Sequence, residues 1–357
     1  MIDRNEPNKA NSIVPSPGKS LSRVNYSLSV TDKLLAQSKY ECFNDFKGET
    51  IWSEKAHKGK ITQIITTKDC IVSLGSDGIC FANKSNGNVI NFISSADKSF
   101  GCISIYEDNL LVSTTPEPFQ GNGSLITFKK NQDYSLTKIA ETGSLEWQIL
   151  DIKSHPENRT FATSGHGFVR IWSLENLRLI KEIRINYNQR AVSAIQFLKG
   201  SKDILVMPGR FDGQSLSFLN LLSGEEEFNL KGEPYHYPVT LCQKGSSNII
   251  ASGGQDGKVN LWNWETKEHI LTILNEEFQY PTYKLGIVKV AYSTNGKYLT
   301  IAYDNNSIKI FETKHYKLIA KYKCIINSGK NSPTFDYDDV ENAIYSSEND
   351  GLISKWN

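Results

Sequence analysis

Six histidines and six cysteines are the side chains in this 357-residue sequence best suited to acid–base, nucleophilic or metal chemistry near neutral pH. The histidines are His57, His155, His166, His236, His269 and His315, and none stands in an H-E-x-x-H pair. The cysteines are Cys42, Cys70, Cys80, Cys102, Cys242 and Cys324; none forms C-x-x-C, and none lies at zinc-finger spacing from a histidine. There is no G-x-S-x-G elbow, no P-loop and no G-x-G-x-x-G. A Ser–His–Asp set cannot be assigned from spacing, because its members would have to converge from separate parts of the chain. The sequence predicts no catalytic residue, no cofactor and no metal site, and hence no enzyme.

Cys70, Cys102 and Cys242 sit in apolar stretches such as DCIVSLG and VTLCQ, so the cysteines read as small reduced core residues. Reduced cysteines place the chain in the cytosol or the nucleus. The sequons at Asn25, Asn122, Asn158 and Asn305 are then chance matches. Lys plus Arg number 40 and Asp plus Glu 39, a balance that disfavours a general nucleic-acid binder. No apolar run approaches ~18 residues, so no membrane span is expected. Residues 1–20 are polar and carry no secretory h-region.

The elements that would position any site follow from an internal repeat. ATSGHGFVRIWSLENLRLIKEIR from Ala162, ASGGQDGKVNLWNWETKEHILTIL from Ala251 and IAYDNNSIKIFETKHYKLIAKYK from Ile301 share one design. Each reads as a small apolar strand, a tight polar turn, an alternating strand ending in Trp or Phe, a second turn and a fourth alternating strand. A further short strand precedes each: 149–153, 239–243 and 287–292. The unit therefore has four strands, a to d. The residue closing strand c recurs at Phe43, Phe81, Phe128, Trp172, Leu219, Trp262, Phe311 and Trp356. The mean spacing is about 45 residues, the length of a four-stranded propeller blade. The b–c turns SDG (76–78), QDG (255–257), DNN (304–306) and NDG (349–351) supply the Gly and Asn that tolerate positive φ.

On these residues the chain resembles the WD40-repeat β-propeller family over nearly its whole length. The Trp-Asp dipeptide is absent; the cognate positions read IWS, LWN and KWN. The family's Gly-His survives as Ala56-His57 and, loosely, His236. The resemblance implies a buried set of His, strand-b Ser or Thr, turn Asp and strand-c Trp. His57 and Asp77 remain in one blade, where Phe81 cannot donate; Asp256 and Trp262 remain in another. It also implies an all-β fold, one domain in place of the two or three that length alone suggests. Eight units are counted, 22–55, 56–95, 97–141, 142–184, 186–231, 233–275, 278–323 and 326–357, with seven as the alternative. The last lacks a strand d, and Ser12–Pro17 within an N-terminal arm, residues 1–21, is expected to supply it and close the ring.

The family mostly meets partners on the rim that bears the d–a and b–c loops. Here those loops are rich in aromatics and Arg, the residue types that anchor interfaces. The candidate partner-binding residues are Trp147, Tyr187, Arg190, Arg210, Phe211, Tyr235, Tyr237, Tyr280 and Tyr283. The expectation is a non-catalytic scaffold or adaptor, monomeric within a hetero-complex, that takes a partner's peptide or helix on this face. The alternatives are a phosphoinositide-binding propeller, disfavoured by the lack of an F-R-R-G motif, and a hydrolase in the central channel. His57 is read as structural, His166 as a turn residue, and His155, His269 and His315 as solvent-exposed. DYDDVE (336–341) is read as an exposed turn rather than a cation site. Ser16-Pro17, Thr115-Pro116 and Ser332-Pro333 are minimal phosphorylation dipeptides.

Overall fold

The computed structural model describes residues 50–95, 99–115, 123–145, 148–185, 191–201, 203–209, 214–231, 238–274, 286–324 and 333–357. All fall in the compact unit Cys42–Asn357. Strand β1 (Thr50–Lys55) comes first. Blade 1 follows as β2 (Ile61–Thr66), β3 (Ile71–Gly75), β4 (Gly78–Ala82) and β5 (Val89–Ser94). Blade 2 is β6 (Phe100–Tyr106), β7 (Asn109–Thr114), β8 (Leu125–Lys130) and β9 (Leu136–Glu141). Blade 3 is β10 (Ile149–Ser154), β11 (Thr160–Gly165), β12 (Phe168–Ser173) and β13 (Leu179–Arg184). Blade 4 is β14 (Gln196–Phe197), β15 (Ile204–Pro208), β16 (Gln214–Asn220) and β17 (Glu226–Lys231). Blade 5 is β18 (Pro238–Gln243), β19 (Ile249–Gly254), β20 (Lys258–Asn263) and β21 (Glu268–Leu274). Blade 6 is β22 (Ile287–Tyr292), β23 (Tyr298–Tyr303), β24 (Ser307–Glu312) and β25 (Lys317–Lys323). Blade 7 has β26 (Phe335–Asp338), β27 (Ala343–Ser347) and β28 (Leu352–Trp356), with β1 as its fourth strand.

Every sheet is antiparallel, and six run in simple chain order. Period-2 alternation explains the packing. Neighbouring residues of a strand point to opposite faces, and each face meets a different blade. Ile71 and Cys80 face blade 7, whereas Val72 and Phe81 face blade 2. Seven apolar clusters result, one at each junction between blades 1–2, 2–3, 3–4, 4–5, 5–6, 6–7 and 7–1. The ring is thereby closed. Strands b and c carry most of the burial: β3 and β4 are buried at every residue, β5 at none. The turns behave as their sequences require, with Gly257, Asn306 and Gly351 at φ +76°, +68° and +79°.

The described residues form seven blades, not the eight expected. The reason lies in Thr50–Lys55. As the fourth strand of a unit 22–55 it would pair locally. Instead it pairs antiparallel with β28, from Thr50 opposite Trp356 to Lys55 opposite Leu352. That leaves the 22–55 unit without its outer strand; residues 22–49, Phe43 among them, lie outside the described residues. The outer edge of β28, assigned from sequence to Ser12–Pro17, is thus already occupied by β1. Ser12–Pro17 and the boundary at residues 21 and 22 also lie outside the described residues.

Candidate functional site

One described constellation has the connectivity of a hydrolytic triad. His57 Nδ1 lies 2.6 Å from Asp77 Oδ1, and His57 Nε2 lies 2.8 Å from Ser73 Oγ. The turn between β3 and β4 places Asp77, whose Oδ2 also accepts the Lys58 amide at 2.7 Å. The setting denies the serine a substrate. Ser73 is fully buried in the middle of β3, and His57 is 2% exposed with the Phe92 ring edge-on to it at 5.5 Å. A nucleophile needs open space for the reacting carbonyl, and none is present here. Burial pushes the His57 imidazole below its ordinary value of 6.5, against the pull of Asp77. Burial works against the Asp77 charge as well, but the Lys58 amide and His57 hold its carboxyl below the usual range. The set joins the turn to the strand, as the sequence implied.

Three other blades tie strand c to strand b through tryptophan. Trp172, Trp262 and Trp356 donate their indole N–H to Thr163, Ser252 and Ser346 at 2.8, 3.0 and 2.7 Å. In blade 1 Phe81 has no such donor, and Ser73 serves His57 instead.

The inner strands reveal a polar device that sequence reasoning missed. Each strand a is the inner edge of its sheet, so half of its backbone groups lack a partner in the sheet. Side chains from neighbouring blades supply contacts at all seven junctions. Gln63 donates to the Ile103 carbonyl at 2.7 Å and accepts its amide at 3.0 Å. Ser104 Oγ accepts the Ser154 amide at 3.3 Å. Asp151 accepts the Ile195 amide at 3.0 Å, and Gln243 clasps both backbone groups of Lys199 at 2.7 and 2.9 Å. Thr240 accepts the Val290 amide at 3.2 Å, and the Lys289 ammonium donates to the Phe335 carbonyl. Asp336 closes the circle by accepting the Thr66 amide at 2.7 Å and its hydroxyl at 2.9 Å.

Four inner-strand residues other than Asp338 carry charge, Asp151, Lys153, Lys289 and Asp336, and each lysine feels the field of both these aspartates. Burial disfavours the Lys153 charge, but Asp151 at 2.9 Å restores it and holds the ammonium above its ordinary value. Among the described residues Lys289 has no carboxylate within bonding distance, and burial pulls its ammonium below the ordinary value. The two aspartates are engaged by backbone amides, so the group reads as inter-blade cement.

The acidic run 336–341 is a second clasp and not an exposed turn. Asp336 reaches blade 1 as above. Asp338 pairs with Lys84 of blade 1, both nearly sealed from water. Asp339 accepts the Thr294 and Asn295 amides of blade 6 at 2.6 and 3.2 Å. Glu341 takes Lys355 at 2.5 Å and the Tyr345 hydroxyl at 2.6 Å, which hold its carboxyl below the usual range despite burial. The Lys84 carbonyl meanwhile accepts Trp52, Tyr345 and Lys355 at 3.2, 3.3 and 3.2 Å. Val340 and Glu341 are the exposed residues of the run, Val340 at 83%.

The remaining histidines divide. His155 is buried, contrary to expectation: its Nδ1 accepts the Glu157 and Asn158 amides at 3.0 and 3.2 Å, and its ring meets Phe197 at 4.7 Å. His166 is exposed beside a short bridge to Ala191. His269 and His315 are also exposed, the latter 3.3 Å from Glu312. His236 lies outside the described residues. Cys70, Cys80, Cys102, Cys242 and Cys324 are free thiols. Among the described residues no three metal-ligating side chains converge, and no helix is long and apolar enough to cross a membrane.

Trp147, Tyr187, Arg190, Arg210, Phe211, Tyr235, Tyr237, Tyr280 and Tyr283 all lie outside the described residues. The segments that carry them connect β9 to β10, β13 to β14, β15 to β16, β17 to β18 and β21 to β22. Four of these are d–a connections and one is a b–c connection.

The WD domain, G-beta repeat model matches residues 230–263. That span takes the end of β17 and then β18, β19 and β20, so the sequence repeat is offset from the blade by one strand. A repeat that matches this family, together with the ring of seven four-stranded antiparallel sheets, supports a WD40-repeat β-propeller.

Proposed function

We propose that this propeller is a non-catalytic scaffold subunit that binds protein partners through its d–a and b–c loops within a larger complex, in the cytosol or nucleus. Its family is commonly a protein-interaction scaffold and generally non-catalytic, and that membership carries the reading. The internal polar groups support it: the Ser73–His57–Asp77 relay is sealed, and the channel charges are spent on holding blades together. The concentration of Trp, Tyr and Arg in the connections of one rim supports the choice of surface. Free, buried thiols suit a reducing compartment.

The test is quantitative affinity purification from the native source, comparing the wild type with a Trp147→Ala/Tyr187→Ala/Arg190→Ala/Tyr237→Ala variant whose fold is first verified by circular dichroism. A stoichiometric partner set that the variant loses is expected. A wild type that recovers none, or a variant that keeps them all, overturns the reading.

A further inference from the structure

The charges on the inner strands are satisfied unequally. β2, β6, β14 and β18 carry none. β10, β22 and β26 place Asp151, Lys153, Lys289 and Asp336, while Asp338 of β26 is taken by Lys84. The carboxylates are spent on the wall. Asp151 accepts the Ile152 amide and the Lys153 ammonium, both at 2.9 Å, on one oxygen and the Ile195 amide at 3.0 Å on the other. One oxygen of Asp336 accepts both the amide and the hydroxyl of Thr66.

The ammonium groups are spent only in part. Each has three N–H donors. Lys153 gives one to Asp151, and Lys289 gives one to the carbonyl of Phe335, whose ring lies 5.2 Å from its nitrogen. Among the described residues neither has a further acceptor, so two donors remain on each. Both side chains are half-buried, Lys153 at 36% exposure, so these donors stand in a recess that water reaches. Burial weighs on both charges, and the charge of Lys153 weighs further on Lys289. The thiols beside them offer no compensating charge: burial pushes Cys102 and Cys242 up to about 12. Two like charges in one another's field, each short of acceptors, are costly in a protein interior. An anion with several oxygens turns that repulsion into a bridge.

We infer that Lys153 and Lys289 form a binding site for a small tetrahedral oxyanion, phosphate or sulfate, at the inner strands of blades 3 and 6. The oxyanion accepts hydrogen bonds from both ammonium groups, while Asp151 and Asp336 keep their backbone partners. The negative charge of those two carboxylates offsets part of the attraction, so binding is weak, with a Kd of ~1 mM. Phosphate also stabilises folded proteins without binding, because it is excluded from their surface. A difference between variants in the same phosphate separates the two effects.

The experiment is urea unfolding of the full chain in ~20 mM inorganic phosphate and in sodium chloride of equal ionic strength. Lys289→Met is compared with Lys68→Met, an exposed lysine of blade 1. The wild type and Lys68→Met are expected to gain the same rise in urea midpoint from phosphate, and Lys289→Met a smaller one, at unchanged slope. An equal rise in all three proteins, or a rise diminished in Lys68→Met as well, overturns the proposal. Trace acetylation of the wild type with acetic anhydride needs no variant, because only the neutral amine reacts and a bound anion favours the ammonium. In phosphate, labelling of Lys289 is to slow several-fold relative to Lys68, read by peptide mass mapping. An unchanged ratio overturns it too.

Discussion

Gly351 and His57 meet backbone to backbone at the seam of the ring: the Gly351 carbonyl accepts the His57 amide at 3.0 Å and that of Ala56 at 2.9 Å. Gly351 sits at φ +79°, and a Cβ there would stand 2.1 Å from the His57 carbonyl oxygen. Gly351→Ala therefore combines left-handed strain with a backbone collision. Gly167, at φ +76°, has nothing nearer than 4.0 Å to such a Cβ. Gly167→Ala is expected to cost about 1–2 kcal/mol, the conformational strain alone. Gly351→Ala is expected to cost clearly more, read as the difference in urea midpoints at unchanged slope.

His57 also sets a pH dependence. In the unfolded chain its imidazole takes a proton near 6.5, while burial in the fold delays that uptake to lower pH. Between those two values the unfolded state binds more protons, so stability falls as pH falls through 6.5. Asp77 acts in the same direction in a lower window, because its folded carboxyl resists protonation below 3.8. His57→Gln removes the first step. Its stability deficit relative to wild type is expected to be larger at pH 7.5 than at pH 5, measured by chemical denaturation at both.

The sequence made strands legible far better than it made their partners legible. Trp172, Trp262 and Trp356 close strand c where the repeat spacing put them, and His57 and Asp77 meet as the motif implied. TIWSEK was equally readable as a strand, but alternation says nothing of which edge it joins, and its partner lies about 300 residues away. The seven clasps were invisible for a related reason. Gln63, Asp151 and Thr240 are scattered polar residues on half-buried strands, and Asp336 stands in an acidic run that reads as a turn, so none is distinguishable in sequence from residues facing water. His155 follows the same logic, since its position in a turn gave no sign that Phe197 would cover it.

The thiols are predicted to be inert in the folded protein. Burial pushes Cys80, Cys102, Cys242 and Cys324 up to about 12 and also raises Cys70. At pH 8 the reactive thiolate is then a minute fraction of each. Iodoacetamide labelling followed by peptide mass mapping is expected to leave all five unmodified in buffer and to modify all five in guanidinium chloride. Rapid labelling of Cys102 in buffer would show that the channel wall opens there.

Lys84 and Asp338 form the most deeply buried ion pair of the seam, with side chains 8% and 3% exposed. Removing one partner strands the other charge, which is worth about 3–5 kcal/mol in such settings. Lys84→Met is thus expected to be severely destabilising, since Asp338 keeps only the Val340 and Glu341 amides at 2.9 and 3.3 Å. Asp338→Asn retains an acceptor for those amides while removing the charge. Combining it with Lys84→Met is expected to recover at least half of the loss, because neither charge is then buried alone. A double-mutant cycle by urea unfolding reads this directly as a favourable coupling between the two substitutions. Strict additivity would mean that the pair contributes nothing beyond its separate contacts, and that ring closure rests on β1 and the apolar cluster beneath it.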